Sequence, residues 1–512
     1  MPGRIEFEFR SSKPQVREGS RSGQDHPMRI LVMGDFSGRA NRGVENAADL
    51  AGRPAVAVDV DNFDRVMHSF APCLHLPFAT PGRPGMTLEF KEIGDFHPDQ
   101  LYRRLELFKV LREMRGRLHD PATFAQAARE LRGDAVQPPS PGQVTDSANS
   151  GAGHASILEQ LLGGKPTPSP QAWVQAGTQQ AGIHGLIRDI VAPYIVPEAD
   201  PLQPVYIASV DAAISEQMRA ILHQPAFQAL ESAWRGLQRL VTGLELGETL
   251  QLHLLDVTRD ELLADIGPLR QDLQASGLYR LLVEQGSRMP GGQPWSVLVG
   301  NYTFGMGATD VALLASLGAV AAQAGGPFLA AADASVLGCR SLAESPDPGD
   351  WQVNDTEAAS RWQALRSSPL APWLGLALPR LLLRLPYGKE TDPVEQFEFE
   401  EFTAARKHEE FLWGNPALAC ALLIGLSFVE RGWEMEPGDQ LDIGDLPACS
   451  FEQDGETQLQ ACAETYLTER AGESILHRGL MPLLSFKNRN AVRVMRFQSL
   501  ADPAQPLAGA WR

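Results

Sequence analysis

The sequence predicts a mixed α/β protein, on three grounds. Short apolar runs bounded by Gly or Pro alternate with segments whose apolar residues recur at helical spacing. Runs such as 30–33 and 328–331 are continuously apolar, the pattern of strands covered on both faces. At 512 residues there is room for roughly three domains, so several cores can be buried.

Taken in order, residues 4–10 read Arg-Ile-Glu-Phe-Glu-Phe-Arg, a period of two that sets Ile5, Phe7 and Phe9 on one face and charges on the other. Residues 11–27 are polar and aperiodic, so residues 1–10 are expected as a strand on a flexible linker. A lone strand leaves its backbone groups unpaired and must join a sheet edge, in this molecule or in another. A small α/β domain is expected over 28–131. It has strand runs at 30–33, 55–60 and 87–90, a helix opened by Pro98 in which Leu101, Leu105, Phe108 and Leu111 share a face, and a short helix near 124–131. Residues 132–181 read as a linker rich in Pro, Ser, Gly and Gln, with one short amphipathic helix at 157–162.

The larger α/β domain is expected over 182–512. One helix carries Ile207, Val210, Ile214, Met218 and Ile221, the next Phe227, Leu230, Trp234, Leu237 and Val241, and His223, Gln224 and Pro225 break them. Strands are expected at 251–257, 295–299 and 328–331, with a capping box at Thr258 and Glu261 and a helix over 310–323.

The formal charge is −18 and unevenly spread: residues 1–131 hold 19 basic and 18 acidic side chains, leaving 26 basic and 45 acidic beyond them. So acidic a surface repels phosphate backbones and argues against a nucleic-acid partner. Cys73, Cys339, Cys420, Cys449 and Cys462 form no CxxC pair, which points to a reducing, cytoplasmic setting. The first residues hold no apolar core of the kind a signal peptide needs. The most apolar window, 416–429, is shorter than the ~20 residues of a spanning helix and runs into Glu430 and Arg431, so no membrane insertion is expected.

Site chemistry is sparse. Gly34-Asp35-Phe36-Ser37-Gly38 follows a strand, but neither a dinucleotide fingerprint nor a P-loop pattern is present, and an acid inside the loop disfavours an anion. A structural turn is expected there. His68, Cys73 and His75 match no metal spacing, Asp59 and Asp61 sit at a strand-ending turn, and no Gly-x-Ser-x-Gly elbow occurs. The expectation is no catalytic residue, no metal and no cofactor. Arg380 and Arg384, four apart between Pro379 and Pro386, are expected on one strand face, in partly buried ion pairs with Glu398 or Glu400. Trp234, Trp413 and Trp433 are expected as core or interface aromatics.

Two series of motifs go further. Residues 29–39, Arg-Ile-Leu-Val-Met-Gly-Asp-Phe-Ser-Gly-Arg, with Asp61, Asn62, Phe63, Asp64 and Gly94, Asp95, Phe96, resemble the small sheath subunit (TssB) of bacterial type VI secretion systems. The ordered blocks at 230–237, 298–304, 378–388 and 412–415 resemble the large sheath subunit (TssC), with Asn301 and Thr303 where the family usually carries acids.

The resemblance implies a contractile-sheath fold, both subunits fused in one chain, and a structural rather than enzymatic role. It implies a strand donated to a neighbouring protomer through Ile5, Phe7 and Phe9, and self-assembly around an inner tube protein. A baseplate and an AAA+ recycling unfoldase would be further partners, the latter met near 157–162. A sheath-derived accessory that caps or limits assembly is the alternative. Lys487, Arg489, Arg493 and Arg496 lie in a stretch without acids, while 390–410 holds eight acids, Glu398 and Glu400 among them. These charges, Arg493 and Arg496 above all, are expected to meet within or between protomers.

Overall fold

The computed structural model describes residues 26–76, 85–132, 203–267, 272–288, 292–403, 407–448, 450–453, 456–487 and 489–511. Ile5, Phe7 and Phe9, their linker up to residue 25, and the linker segment with 157–162 lie outside the described residues. The chain divides into two compact units. One joins residues up to His97 with Ala220–Val394 and Phe399–Arg512; the other joins Pro98–Arg219 with Glu395–Glu398.

The strands are β1 (Met28–Gly34), β2 (Val56–Val58), β3 (Cys73–Leu76), β4 (Met86–Glu89), β5 (Leu250–Asp256), β6 (Val297–Phe304), β7 (Phe328–Ala332), β8 (Leu374–Leu378), β9 (Leu381–Leu382), β10 (Trp413–Gly414), β11 (Asp442–Ile443), β12 (Ser450–Gln453), β13 (Glu456–Leu459), β14 (Met481–Ser485) and β15 (Val492–Val494). The helices used below are α1 (Phe63–Phe70), α2 (Pro98–Arg104), α3 (Glu106–His119), α4 (Phe124–Arg132), α5 (Gln203–Leu222), α6 (Pro225–Gly243), α7 (Arg259–Ile266), α8 (Ala308–Ala324), α9 (Thr356–Arg366), α10 (Pro416–Arg431) and α11 (Glu469–His477).

In the first unit nine strands form one sheet, ordered β11-β15-β14-β8-β7-β6-β1-β5-β2. The run from β14 to β5 is parallel, and β2, β15 and β11 are antiparallel at its two sides. Parallel strands need crossovers, and α8 and α9 supply those from β6 to β7 and from β7 to β8. β1 lies inside the sheet. Met28 faces Leu250 and Gly34 faces Asp256 on one side; Ile30 faces Val297 and Met33 faces Gly300 on the other. With Leu31 and Met33 in the core under α7 and α8, and α10 across the opposite face, the strand has no wet side, which explains its unbroken apolar run.

β6 runs on to Phe304, past the end expected at 299. The Gly-Asn pair at 300–301 looks like a turn, yet Gly300 is there because a Cβ would lie 2.5 Å from Phe328 Cζ on β7. Helices α6 and α10 approach as closely, since a Cβ at Gly236 would fall 2.5 Å from Leu418 Cδ1. By length and composition Pro416–Glu434 could cross a membrane, but 67% of it is buried inside the fold, and α10 is the helix that covers the sheet.

The second unit is helical, built from α2, α3, α4 and the first part of α5. Arg117 forks onto Glu130 at 2.7 Å through both nitrogens, and the Gln203 amide donates to the Leu118 and His119 carbonyls at 2.7 and 2.9 Å. The single helix expected from Pro98 breaks at Leu105, whose backbone is extended (φ −78°, ψ 130°). The break brings Tyr102 to 5.7 Å from Phe108 and 4.5 Å from Phe397, ring contacts that a helical period does not encode.

Candidate functional site

Within the first unit, residues before His97 are held to the rest by three kinds of contact. The first is the turn after β1. Asp256 ends β5 directly across from Gly34, and its carboxylate accepts from Phe36 N (2.8 Å), Ser37 N (3.2 Å) and Ser37 Oγ (2.6 Å). Asp35 accepts in turn from Arg39 N and Ala40 N at 2.7 and 3.0 Å. The amides that a phosphate loop would aim at a ligand are thus taken by carboxylates. Gly38 closes the turn at φ +76°, where a Cβ would fall 2.3 Å from Cys73 O. Burial lifts the Asp256 carboxyl above its usual range, against the pull of the Ser37 hydrogen bond.

The second contact is aromatic. Trp234 on α6 is fully buried, its indole N–H donates to Phe36 O at 2.8 Å, and Phe36, Phe63 and Phe70 meet its ring edge-on at 5.4, 5.9 and 5.9 Å. Two turns earlier on the same helix, Phe227 receives the stacked pair Phe90 and Phe96 at 5.8 and 5.6 Å.

The third is ionic. Arg53 forks onto Glu261 at 2.6 and 2.8 Å, Arg39 adds a bond at 2.9 Å, and Asn46 N and Thr258 N donate at 2.7 and 3.0 Å. Burial opposes the Glu261 charge, but the bonds from Arg53, Thr258 and Asn46 hold its pKa down to about 2. The Thr258–Glu261 capping box thus also binds the earlier half of the chain.

A second ion cluster lies wholly within the later half. Arg384 forks onto both oxygens of Glu401 (2.7 and 3.0 Å) and donates through Nε to Glu231 (2.9 Å). Glu231 also takes Arg235 Nε at 2.7 Å, Arg235 reaches the Tyr387 hydroxyl at 3.1 Å, and Tyr387 N closes the ring on Glu401 at 2.7 Å. Two guanidiniums balance two carboxylates, as burial demands. Burial works against the Glu401 charge too, and Arg384 holds its pKa down to about 2.

The chain matches two families in succession. The family described as "Type VI secretion system, VipA" matches residues 3–135, and the family described as VipB, a tail sheath N-terminal domain, matches residues 205–501. The type VI secretion system sheath protein TssC1 of Pseudomonas aeruginosa is 35% identical over 307 residues, which span 58% of this chain and 61% of that protein. This chain belongs to the type VI secretion tail-sheath family. Small-subunit and large-subunit sheath matches are fused in this one chain, and it is a type VI secretion sheath component. In this sheath protein β1, Phe36, Phe63, Phe70 and Arg53 come from the small-subunit part, while β5, β6, Trp234 and Glu261 come from the large-subunit part.

The residues singled out from sequence fall as follows. Arg384 is buried and Arg380 partly so, but neither pairs with Glu398 or Glu400. Arg384 takes Glu231 and Glu401, while Arg380 bonds Glu464 and Glu409, because both arginines lie outside the two-residue strand β9 and no common face aligns them. Glu400 accepts from Lys389 N at 3.0 Å, and Glu398 is exposed. Arg493 forks onto Asp442 at 2.6 Å through both nitrogens, and Arg496 is exposed. Asp59 accepts from Asp61 N and Asn62 N and so builds its turn. His75 bonds Thr87 Oγ1 at 3.0 Å rather than joining Cys73 and His68. The one grouping of three metal-type ligands among the described residues is His408, Glu409 and Glu464, where the Arg380 guanidinium already bonds both carboxylates. Sequence reasoning missed Glu231, Asp256 and the wider role of Glu261. The available signal was an acid at an apolar position: Glu231 lies four after Phe227 and three before Trp234.

Proposed function

We propose that this chain is the complete building unit of a contractile sheath, polymerising into a tube whose contraction propels an inner tube. The observation that supports the reading is the position of β1: a strand from the small-subunit part lies between β5 and β6 of the large-subunit part, so one polypeptide supplies a whole protomer. Residues 28–131 serve as the small sheath domain and 182–512 as the large one, joined through 132–181. Ile5, Phe7 and Phe9 form the face of a strand exchanged between protomers. Burying each is worth ~1.5–3 kcal/mol and each new ladder bond about 0.5–1.5 kcal/mol net, against ~1–2 kcal/mol per residue for ordering. One such link is modest, and many per ring make a continuous mesh whose linkers swing as the domains rotate. The inner tube protein, the baseplate and an AAA+ unfoldase are the partners this role requires, in the cytoplasm.

Electron microscopy of the purified chain tests the reading. Long striated tubes are expected; discrete particles alone would sink it in favour of an assembly-limiting accessory. A chain lacking residues 1–10 is expected to stay folded and fail to polymerise, and tubes as abundant as those of the intact chain would refute the donated strand.

A further inference from the structure

We infer that the exposed basic hairpin of β14 and β15 docks on the acidic segment Glu395–Glu398 of a second copy of this chain. The inference deepens the sheath reading and rests on it. Lys487 and Arg489 stand exposed on the turn of this hairpin, Arg493 on β15 and Arg496 two residues beyond it, in a stretch with no acid from 475 to 500. Asp442 on β11 is the one carboxylate that pairs with them among the described residues, and Arg493 takes it. The other three cations make no ion pair among the described residues, though Asp442 also feels Arg489, in a chain whose net charge is −18. The Arg489 and Arg493 guanidiniums lie 5.9 and 5.5 Å from the centre of the Phe486 ring, within the range of cation–π attraction.

The complementary segment is equally prepared. Glu395 N and Gln396 N donate to the Asp99 carboxylate at 3.1 and 2.9 Å, and Phe397 stacks on Tyr102 at 4.5 Å. The backbone is thereby pinned while Glu395 and Glu398 are exposed and outside every ion pair among the described residues; Arg115, which feels the Glu398 charge, is already forked onto Asp211. Glu400 is excluded, because it already receives Lys389 N. Two different surfaces meet in this contact, so it is heterologous, and such contacts propagate into rings or helical tubes rather than closing a dimer. The competing explanation is that these charges are ordinary solvated surface.

A charge swap on the full-length chain decides between them, with the pelleted fraction and tube length as readouts. The triple reversal K487E/R489E/R496E and the double reversal E395R/E398R are each expected to cut the pelleted fraction at least tenfold, and the chain carrying both sets is expected to recover it. Tubes of the unaltered chain are expected to shorten as salt rises, since exposed charges are screened. The inference is overturned if the reversals polymerise like the parent, if the combined chain does not recover, or if only the basic set has an effect, which would assign the hairpin to another partner. Should a reversal misfold by circular dichroism, K487Q/R489Q/R496Q and E395Q/E398Q take its place with the same expectations. Failure of the parent to form tubes would instead sink the sheath reading.

Discussion

Arg384 and Arg493 make the same fork onto a carboxylate, in opposite surroundings. The side chains of Arg384 and Glu401 are 6% and 1% exposed; those of Arg493 and Asp442 are 47% and 50% exposed. Geometry alone would rank the two pairs equal. Burial separates them, because removing one partner inside the fold strands a charge in a poor solvent, while at the surface water takes the partner's place. The junction pair, Arg53 with Glu261, stands between: its glutamate is sealed, but Arg53 also reaches the exposed Asp49.

The sharpest break of this comparison is Glu401→Ala. It leaves Arg384 facing Glu231 alone and frees Tyr387 N, so denaturant unfolding of the unassembled chain should show a loss of about 3–5 kcal/mol. Replacing Arg384, Arg235, Glu231 and Glu401 together by Met, Met, Leu and Leu should recover most of that loss, since the charges go as a set. A single-variant loss under 1 kcal/mol would mean that the cluster is wetter than its burial indicates.

The junction should respond next, and through pH. Glu261 titrates at about 2 in the folded chain against ~4.3 for an ordinary glutamate, so the unfolded state takes up its proton first as pH falls. Its contribution is complete above about pH 5 and vanishes towards pH 2. Glu261→Gln should therefore cost roughly 1.5–3 kcal/mol at pH 7, the worth of hydrogen bonds to a charged group, and the gap to the parent should narrow on acidification below ~4.5. A gap that stays constant down to pH 2.5 would show that the Glu261 charge is not what binds the two halves.

Much of the fold was legible from local pattern. The apolar runs of β1 and β7, the helix break at 223–225 and the capping box at Thr258 all declare themselves within a few residues. The sheet order does not: pairing Ile30 with Leu252 and with Val297 joins positions more than 200 residues apart, and no period of two or 3.6 carries that information. The ion pairs were half legible. Two arginines amid apolar residues imply buried acids, yet the partner of Arg384 is Glu401, next to the expected Glu400. The segment 395–403 has no regular secondary structure, so no period sets which of two adjacent glutamates turns inward.

Arg493→Ala completes the series at its weak end. The fork onto Asp442 is short, and hydrogen bonding from Arg493 holds that carboxyl below its usual range, but both side chains are about half exposed. Coulombic attraction there is screened by water and salt, and ordering two side chains offsets much of what remains. The variant should lose no more than ~0–1 kcal/mol, and less in 0.5 M salt, by denaturant unfolding. A loss approaching that of Glu401→Ala would show that geometry, and not burial, sets the strength of these pairs, and would undo the ranking on which the other two predictions stand.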